Sequence, residues 1–185
     1  MVLLVLAALL ASGPLPASAL ATRLQTLSLD GPGWALTLDP DDPATVRLKA
    51  AGEKTKGPIV VPGAWEAQGF GEETSTMKNQ YIGVGTYSRN ISLPPAFSSP
   101  PAGNTVWLVV ERIQRAATVS VGGALIGQHT GYLSPFEGEV TKHIAGGKLA
   151  LQIEVNATRH QDFDGLQGEE DLETDGTGLG GWGGL

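Results

Sequence analysis

The sequence predicts an all-β protein, a sandwich or barrel in which roughly eight strands fit a jelly roll. Two observations support this prediction. Apolar residues recur at every second position within short runs, which places them on one face of a sheet. Clusters of glycine and proline separate these runs, and the 26 glycines and 12 prolines favour short strands and turns over long helices.

Seven runs carry the strand pattern. They lie at residues 34–38, 46–49, 59–61, 86–93, 105–110, 118–121 and 149–155. The last run is the clearest, because Leu149, Leu151, Ile153 and Val155 share one face. The run 105–110 is apolar on both faces, as expected of a strand buried between two layers.

The N-terminus has the composition of a secretory signal peptide. An apolar run, VLLVLAALL, occupies residues 2–10, and two A-x-A patterns follow at residues 17–19 and 19–21. We expect cleavage after Ala19 or Ala21 and a secreted or secretory-lumen product that is not bound to a membrane. The run is too short to cross a bilayer of ~30 Å. A short membrane anchor or a buried strand remains the alternative, since no Lys or Arg precedes the run.

Three segments follow from this pattern. Residues 1–21 are the predicted signal peptide, residues 22–158 the β-sandwich, and residues 159–185 an acidic, glycine-rich loop with the truncated end of the domain. Such a loop is functional or disordered when it belongs to a compact domain. Its carboxylates are expected to form solvated surface, unless one or two of them reach a ligand.

Composition excludes several functions. The net charge of −7 provides no basic stripe for a nucleic acid. The chain has no cysteine, and His129, His143 and His160 do not have the spacing of a metal site, so neither a metal nor another cofactor is expected. Each histidine is expected to be solvated or hydrogen-bonded. The sequons at Asn90 and Asn156 predict N-glycosylation and fit a secretory route.

An ordered set of motifs carries a family resemblance. It begins with Val-Pro-Gly-Ala-Trp-Glu at residues 61–66 and continues with a Tyr-x-Arg strand at Tyr87 and Arg89. It then runs through Ile-Gly-Gln-His-Thr-Gly-Tyr at residues 126–132, Ser-Pro-Phe-Glu at 134–137 and Gly-Gly-Trp-Gly-Gly at 180–184. In order and spacing, this set resembles the N-terminal sugar-binding domain of glycoside hydrolase family 2, the family of β-galactosidases, β-glucuronidases and β-mannosidases.

The resemblance spans residues 34–185 and implies a galactose-binding-like jelly roll. In that family both catalytic glutamates lie on a separate barrel domain of ~250 residues, which this chain lacks the length to hold. The resemblance therefore implies a domain without catalytic residues, whose carbohydrate partner is reached through the barrel. The candidate substrate-binding residues are Asp171 and Asp175 in the acidic loop, with Trp65 and Tyr132.

Several of these residues have a second interpretation. Trp65 most simply fills the core, and the alternative is stacking on a sugar ring. Tyr132 has the same two possibilities. Arg89 shares a strand face with apolar residues, so we expect it to pair with a carboxylate, for which the candidates are Glu66, Glu111 and Glu137.

Three functions stay open on the sequence alone. The chain is a sugar-binding domain of a secreted glycoside hydrolase, a free-standing lectin-like module, or an interaction domain without a sugar ligand. A shared fold does not decide between them. The sequence names neither the sugar nor the oligomeric state.

Overall fold

A computed structural model describes residues 1–8, 25–72, 81–113, 115–131 and 134–158. Within these ranges ten strands form two antiparallel sheets around a shared apolar core, which confirms the prediction of an all-β sandwich. The predicted cleavage sites at Ala19 and Ala21, Tyr132, and the loop 159–185 with Asp171 and Asp175 lie outside the described residues.

The two sheets differ in size. The smaller one has four strands, in the order β2 (Gln25–Ser28), β1 (Val2–Ala8), β6 (Asn104–Val110) and β9 (Phe136–Glu139). The larger one has six strands, in the order β4 (Lys56–Val61), β3 (Gly31–Leu38), β5 (Val84–Ser92), β10 (Lys148–Asn156), β7 (Arg115–Val121) and β8 (Ala124–Gly131). We call them the small sheet and the large sheet.

Alternation along the strands builds the core between the sheets. On β10 the predicted residues Leu149, Leu151, Ile153 and Val155 are all buried, and the residues between them are exposed. The small sheet contributes the alternating residues of β1 and β6 in the same way. Antiparallel sheets commonly bury one face and hydrate the other, so the large sheet presents a polar outer face to solvent.

One predicted strand is wrong. Residues 46–49 lie within helix α1 (Pro43–Ala51), not in a strand. The Asp42 side chain accepts a hydrogen bond of 2.8 Å from the backbone N–H of Ala44, and Gly52 ends the helix with φ 82°. Proline at the first helical position and a left-handed glycine after the last turn are strong helix signals, and here they outweigh the alternation. A second, short helix, α2, spans Pro95–Ser98.

Strand β1 comes from the apolar run that resembles a signal peptide. It pairs antiparallel with β2 on one side and with β6 on the other. Val2, Leu4 and Leu6 are buried in the core, and the Val2 N–H donates a 2.7 Å hydrogen bond to the Asp30 carboxylate. This placement agrees with the buried-strand alternative for the run, while cleavage of residues 1–21 stays a prediction. In the described part of the chain, no helix has the length and apolarity needed to cross a membrane.

Candidate functional site

The Pro-Gly-Ala-Trp motif leads into a buried aromatic cluster. Trp65 follows β4 and is fully buried, and its indole N–H donates a 3.3 Å hydrogen bond to the carbonyl oxygen of Tyr81. Its ring centroid lies 5.8 Å from that of Tyr81 and 6.5 Å from that of Tyr87. The Trp65 ring has no face free for a sugar, so its burial supports the core role rather than substrate binding.

Two glycines make room for this cluster. A Cβ atom at Gly85 would lie 2.6 Å from Cζ3 of Trp65, closer than any ordinary carbon contact. A Cβ atom at Gly83 would lie 2.5 Å from the Tyr81 hydroxyl and 2.7 Å from Asp42 Oδ2. The Gly-x-Gly spacing at the start of β5 therefore reflects close packing against two aromatic side chains.

The Tyr81 hydroxyl joins this cluster to helix α1. It donates to Asp42 Oδ2 at 2.8 Å and accepts from the Thr45 hydroxyl at 3.2 Å. Burial raises the pKa of Tyr81 well above its ordinary value of 10.0, and the hydrogen bond and charge of Asp42 raise the pKa further, while the Thr45 hydrogen bond lowers it. Asp42 caps the helix with its other oxygen, so this network holds α1 against the sandwich.

Arg89 has a different partner from the one predicted. The expected carboxylate was Glu66, Glu111 or Glu137, but the acceptor that the structure gives the Arg89 guanidinium is the main-chain carbonyl of Leu29. The guanidinium also lies 5.7 Å from the centre of the Trp34 ring, within cation–π range. Arg89 thus fastens β5 to the segment that precedes β3.

The outer face of the large sheet holds a cleft of about 560 Å³, which we call the outer cleft. This volume falls within the range of ~300–1,000 Å³ typical of small-molecule sites. The outer cleft is lined by residues of β3, β5 and β10 and of the β7–β8 turn: Gly33, Ala35, Ser88, Arg89, Asn90, Gly122, Gly123, Ala150, Leu151 and Gln152.

Strand register explains where the outer cleft forms. Asn90 pairs with Ala150, whose carbonyl accepts a 2.8 Å hydrogen bond from the Gly122 N–H. In the next row Ala35 pairs with Ser88, which pairs with Gln152. Glycine and alanine thus flank the three neutral polar side chains, and the small residues leave a depression over the sheet. Sequence analysis missed this site, because its residues come from four separate parts of the chain.

Among the predicted site residues that the structure describes, Asn90 lines the outer cleft. Asn90 is exposed on the outer face of β5. The second sequon residue, Asn156, is half-buried at the end of β10, and its side-chain oxygen accepts a 2.9 Å hydrogen bond from the Thr158 N–H. His129 is buried in β8 rather than solvated. Among the residues with a described structure, no group of three or more acidic or histidine side chains is placed to hold a metal ion.

Comparison with known proteins finds the fold of this sandwich in solved structures of a larger enzyme. No protein-family model matches the chain, and no curated protein matches it. The crystal structure of Ruminococcus gnavus β-glucuronidase matches 70% of this chain with a TM-score of 0.53 and 21% identity, over 21% of that enzyme's chain. Its complex with D-glucaro-d-lactam matches 73% of this chain with a TM-score of 0.56 and 20% identity, over 22% of the enzyme chain. The protein therefore shares the fold of one part of that enzyme and spans about a fifth of its length.

Proposed function

We propose that this chain is the non-catalytic sugar-binding domain of a secreted glycoside hydrolase of family 2. The observation that carries the proposal is the match of 70–73% of the chain to about a fifth of a β-glucuronidase. The motifs at residues 61–66, at Tyr87 and Arg89, and at residues 126–137 support the same family. Entry into the secretory pathway is part of the proposal and rests on the apolar run at residues 2–10 and the two sequons.

The proposed domain has no catalytic pair of its own. Retaining glycosidases hold two carboxylates about 5–5.5 Å apart across the scissile bond. Of the carboxylates that the structure describes, Glu66 alone is buried, and the interior between the sheets is apolar. Catalysis in the proposed parent enzyme belongs to a (β/α)₈ barrel of ~250 residues, which exceeds the length of this chain.

The proposed role is to pack against that barrel and help to shape its substrate cleft. The acidic segment 159–185 follows β10 in sequence, and we propose that Asp171 or Asp175 approaches a substrate hydroxyl. We propose Tyr132 as a further contact in that substrate cleft. The sugar is reached through the assembled enzyme, so the isolated domain is expected to bind that substrate weakly or not at all.

Sequencing the natural transcript beyond the codon for Leu185 tests this proposal. We expect the reading frame to continue into a (β/α)₈ pattern with glutamates at two strand ends. The longer product should hydrolyse one of the p-nitrophenyl β-glucuronide, β-galactoside or β-mannoside substrates. The chain of 185 residues should not. A stop codon directly after Leu185 would remove the enzyme-domain proposal.

A free-standing lectin-like module is the second candidate. The outer cleft favours it, because the cleft is polar, open to solvent and complete without another domain. A module of this kind should bind a saccharide in the absence of any barrel. An interaction domain without a sugar ligand should show neither saccharide binding nor hydrolysis in the longer product.

A further inference from the structure

We propose that the outer cleft is a carbohydrate site that holds a saccharide, either soluble or attached to Asn90. This site is distinct from a substrate cleft shared with a barrel, and it does not depend on the proposed enzyme domain. Three features of the molecule support this site: the shape of the cleft, the chemistry of its lining and the position of a sequon.

The shape of the outer cleft arises from side-chain size. Gly33, Ala35 and Ala150 stand at exposed outer positions of β3 and β10, where long polar residues usually cover a solvated sheet. The β7–β8 turn adds Gly122 and Gly123, and no atom lies within 4 Å of a Cβ built at either. A flat ring can therefore lie close to the sheet without displacing a side chain.

The lining favours a ligand with many hydroxyl groups. Ser88 offers a hydroxyl, and the amides of Asn90 and Gln152 each offer a donor and an acceptor. The one charged group in the lining, the Arg89 guanidinium, already donates to the Leu29 carbonyl and lies over the Trp34 ring. Arg89 uses one of its five N–H donors there, and the other polar side chains of the lining are neutral and offer both donors and acceptors, as saccharide hydroxyls require.

Asn90 is a predicted attachment point for a sugar within the outer cleft. It is the acceptor residue of the sequon Asn90-Ile91-Ser92 and lines the cleft. In N-glycosylation the Asn90 amide nitrogen bonds the anomeric carbon of a lipid-diphosphate-linked oligosaccharide, the amide loses a proton, and the diphosphate carrier leaves. The first sugar would then lie over Ser88, Ala150 and Gln152, the neighbours of Asn90 on the outer face.

The first experiment tests a soluble ligand on protein made without glycosylation. Glucose, galactose, mannose and N-acetylglucosamine are titrated while backbone NMR shifts are followed, with glucuronate as the charged comparison. We expect saturable shifts confined to β5, β10 and the β7–β8 turn for at least one of these sugars. Gln152→Ala and Ser88→Ala should each weaken binding about fivefold, as for a lost hydrogen bond. Thr118→Ala, on the same face but outside the cleft, should not.

The second experiment tests an attached glycan on protein made in eukaryotic secretory cells. Removal of the sequon by Ser92→Ala keeps the Asn90 side chain and should lower the melting temperature relative to the glycosylated protein. Thr158→Ala removes the Asn156 sequon and loses no outer-cleft contact. The loss of its glycan should therefore lower the melting temperature less than the loss of the Asn90 glycan does. A glycosidase that trims N-glycans should act more slowly at Asn90 than at Asn156.

These outcomes separate the two sources of sugar. Binding in the first experiment assigns the outer cleft to a soluble saccharide, and protection in the second assigns it to the attached glycan. No saturable binding, together with an Asn90 that is unmodified or carries an unprotected glycan, would overturn the proposal. A transcript that stops after Leu185 bears on the enzyme-domain proposal alone and leaves this site unaffected.

Discussion

At the scale of single residues, the best-defined constraint is the contact between Gly85 and Trp65. Gly85 is not among the glycines with positive φ, so alanine is acceptable to its backbone and the cost of substitution is steric. We expect Gly85→Ala to lower the free energy of unfolding by about 1–3 kcal/mol through overpacking against the indole. Chemical denaturation measures this loss.

Thr86→Ala is the matched control for that experiment. Thr86 is the next residue along β5 and points to the outer face, away from the indole. Its substitution should change stability by about 0.5 kcal/mol or less. Equal effects of the two changes would contradict the packing argument.

Tyr81 gives a pH-dependent prediction. Its folded-state pKa is raised above the unfolded value of 10.0, chiefly by burial. A raised pKa means that the folded state holds the phenol proton more tightly, so this contribution to stability is complete below pH 10 and is lost as the pH rises beyond it. Above pH 10 the titration of this one group lowers the free energy of unfolding by at most about 1.4 kcal/mol for each pH unit.

Urea unfolding at pH 8, 10 and 11 checks this sign. The Tyr81→Phe protein should be less stable at pH 8, because Asp42 and Thr45 lose a partner, by about 1–2 kcal/mol. It should also lose less stability than the natural protein between pH 10 and pH 11. If both proteins lost the same amount of stability between pH 10 and pH 11, Tyr81 would be excluded as the titrating group.

At the scale of elements, β10 is one of the two central strands of the large sheet and supplies an inward row of four apolar side chains. Leu151→Ala should lower the free energy of unfolding by about 2–5 kcal/mol, because it opens a cavity between the sheets. Gln152→Ala, one residue later on the exposed face, should cost about 0.5 kcal/mol or less. Thermal unfolding of the two variants distinguishes inward from outward positions.

The same contrast explains which elements can be predicted from the sequence. β10 is evident because burial on one face and hydration on the other impose a period of two on its residues. Helix α1 is not, because its burial is limited to Thr45 and Leu48, and its formation depends on Asp42 and Gly52 outside the helix. An alternating pattern of four residues at 46–49 is too short to outweigh those caps.

The candidate site was less predictable than the fold, for a physical reason. Motifs such as Pro62-Gly63-Ala64-Trp65 are local in sequence, and the structure uses Trp65 to fill the core. The outer cleft depends on strand register, which aligns Ala35, Ser88 and Gln152 although they are far apart in the chain. The register is set when the sheet assembles, so no local sequence pattern predicts the outer cleft.

At the scale of the whole molecule, the folded protein either retains strand β1 or lacks it after cleavage of the predicted signal peptide. Leu4 is fully buried, whereas Leu3 is half-buried on the opposite side of β1. If the folded protein retains β1, Leu4→Ala should cost about 2–5 kcal/mol of stability. Leu3→Ala should cost less than half of that.

The intact mass of the purified protein completes this test. A mature N-terminus at residue 20 or 22, with both leucine variants as stable as the natural protein, would show that the leader is removed and that β1 is absent from the mature fold. An N-terminus at residue 1 or 2 with the unequal losses described above would show that the strand is structural.

The position of β1 also imposes an order on events during synthesis. Val2 pairs with Val110, a partner 108 positions later in the chain, so the small sheet cannot close until β6 has left the ribosome. At elongation rates of about 5–20 residues per second, that delay is roughly 5–20 seconds. Throughout this interval β1 lacks its β6 partner and can pair with β2 alone, so its apolar residues stay accessible to factors that recognise nascent chains. Whether the N-terminus is targeted or built into the small sheet therefore depends on which process is faster, and slower elongation favours targeting.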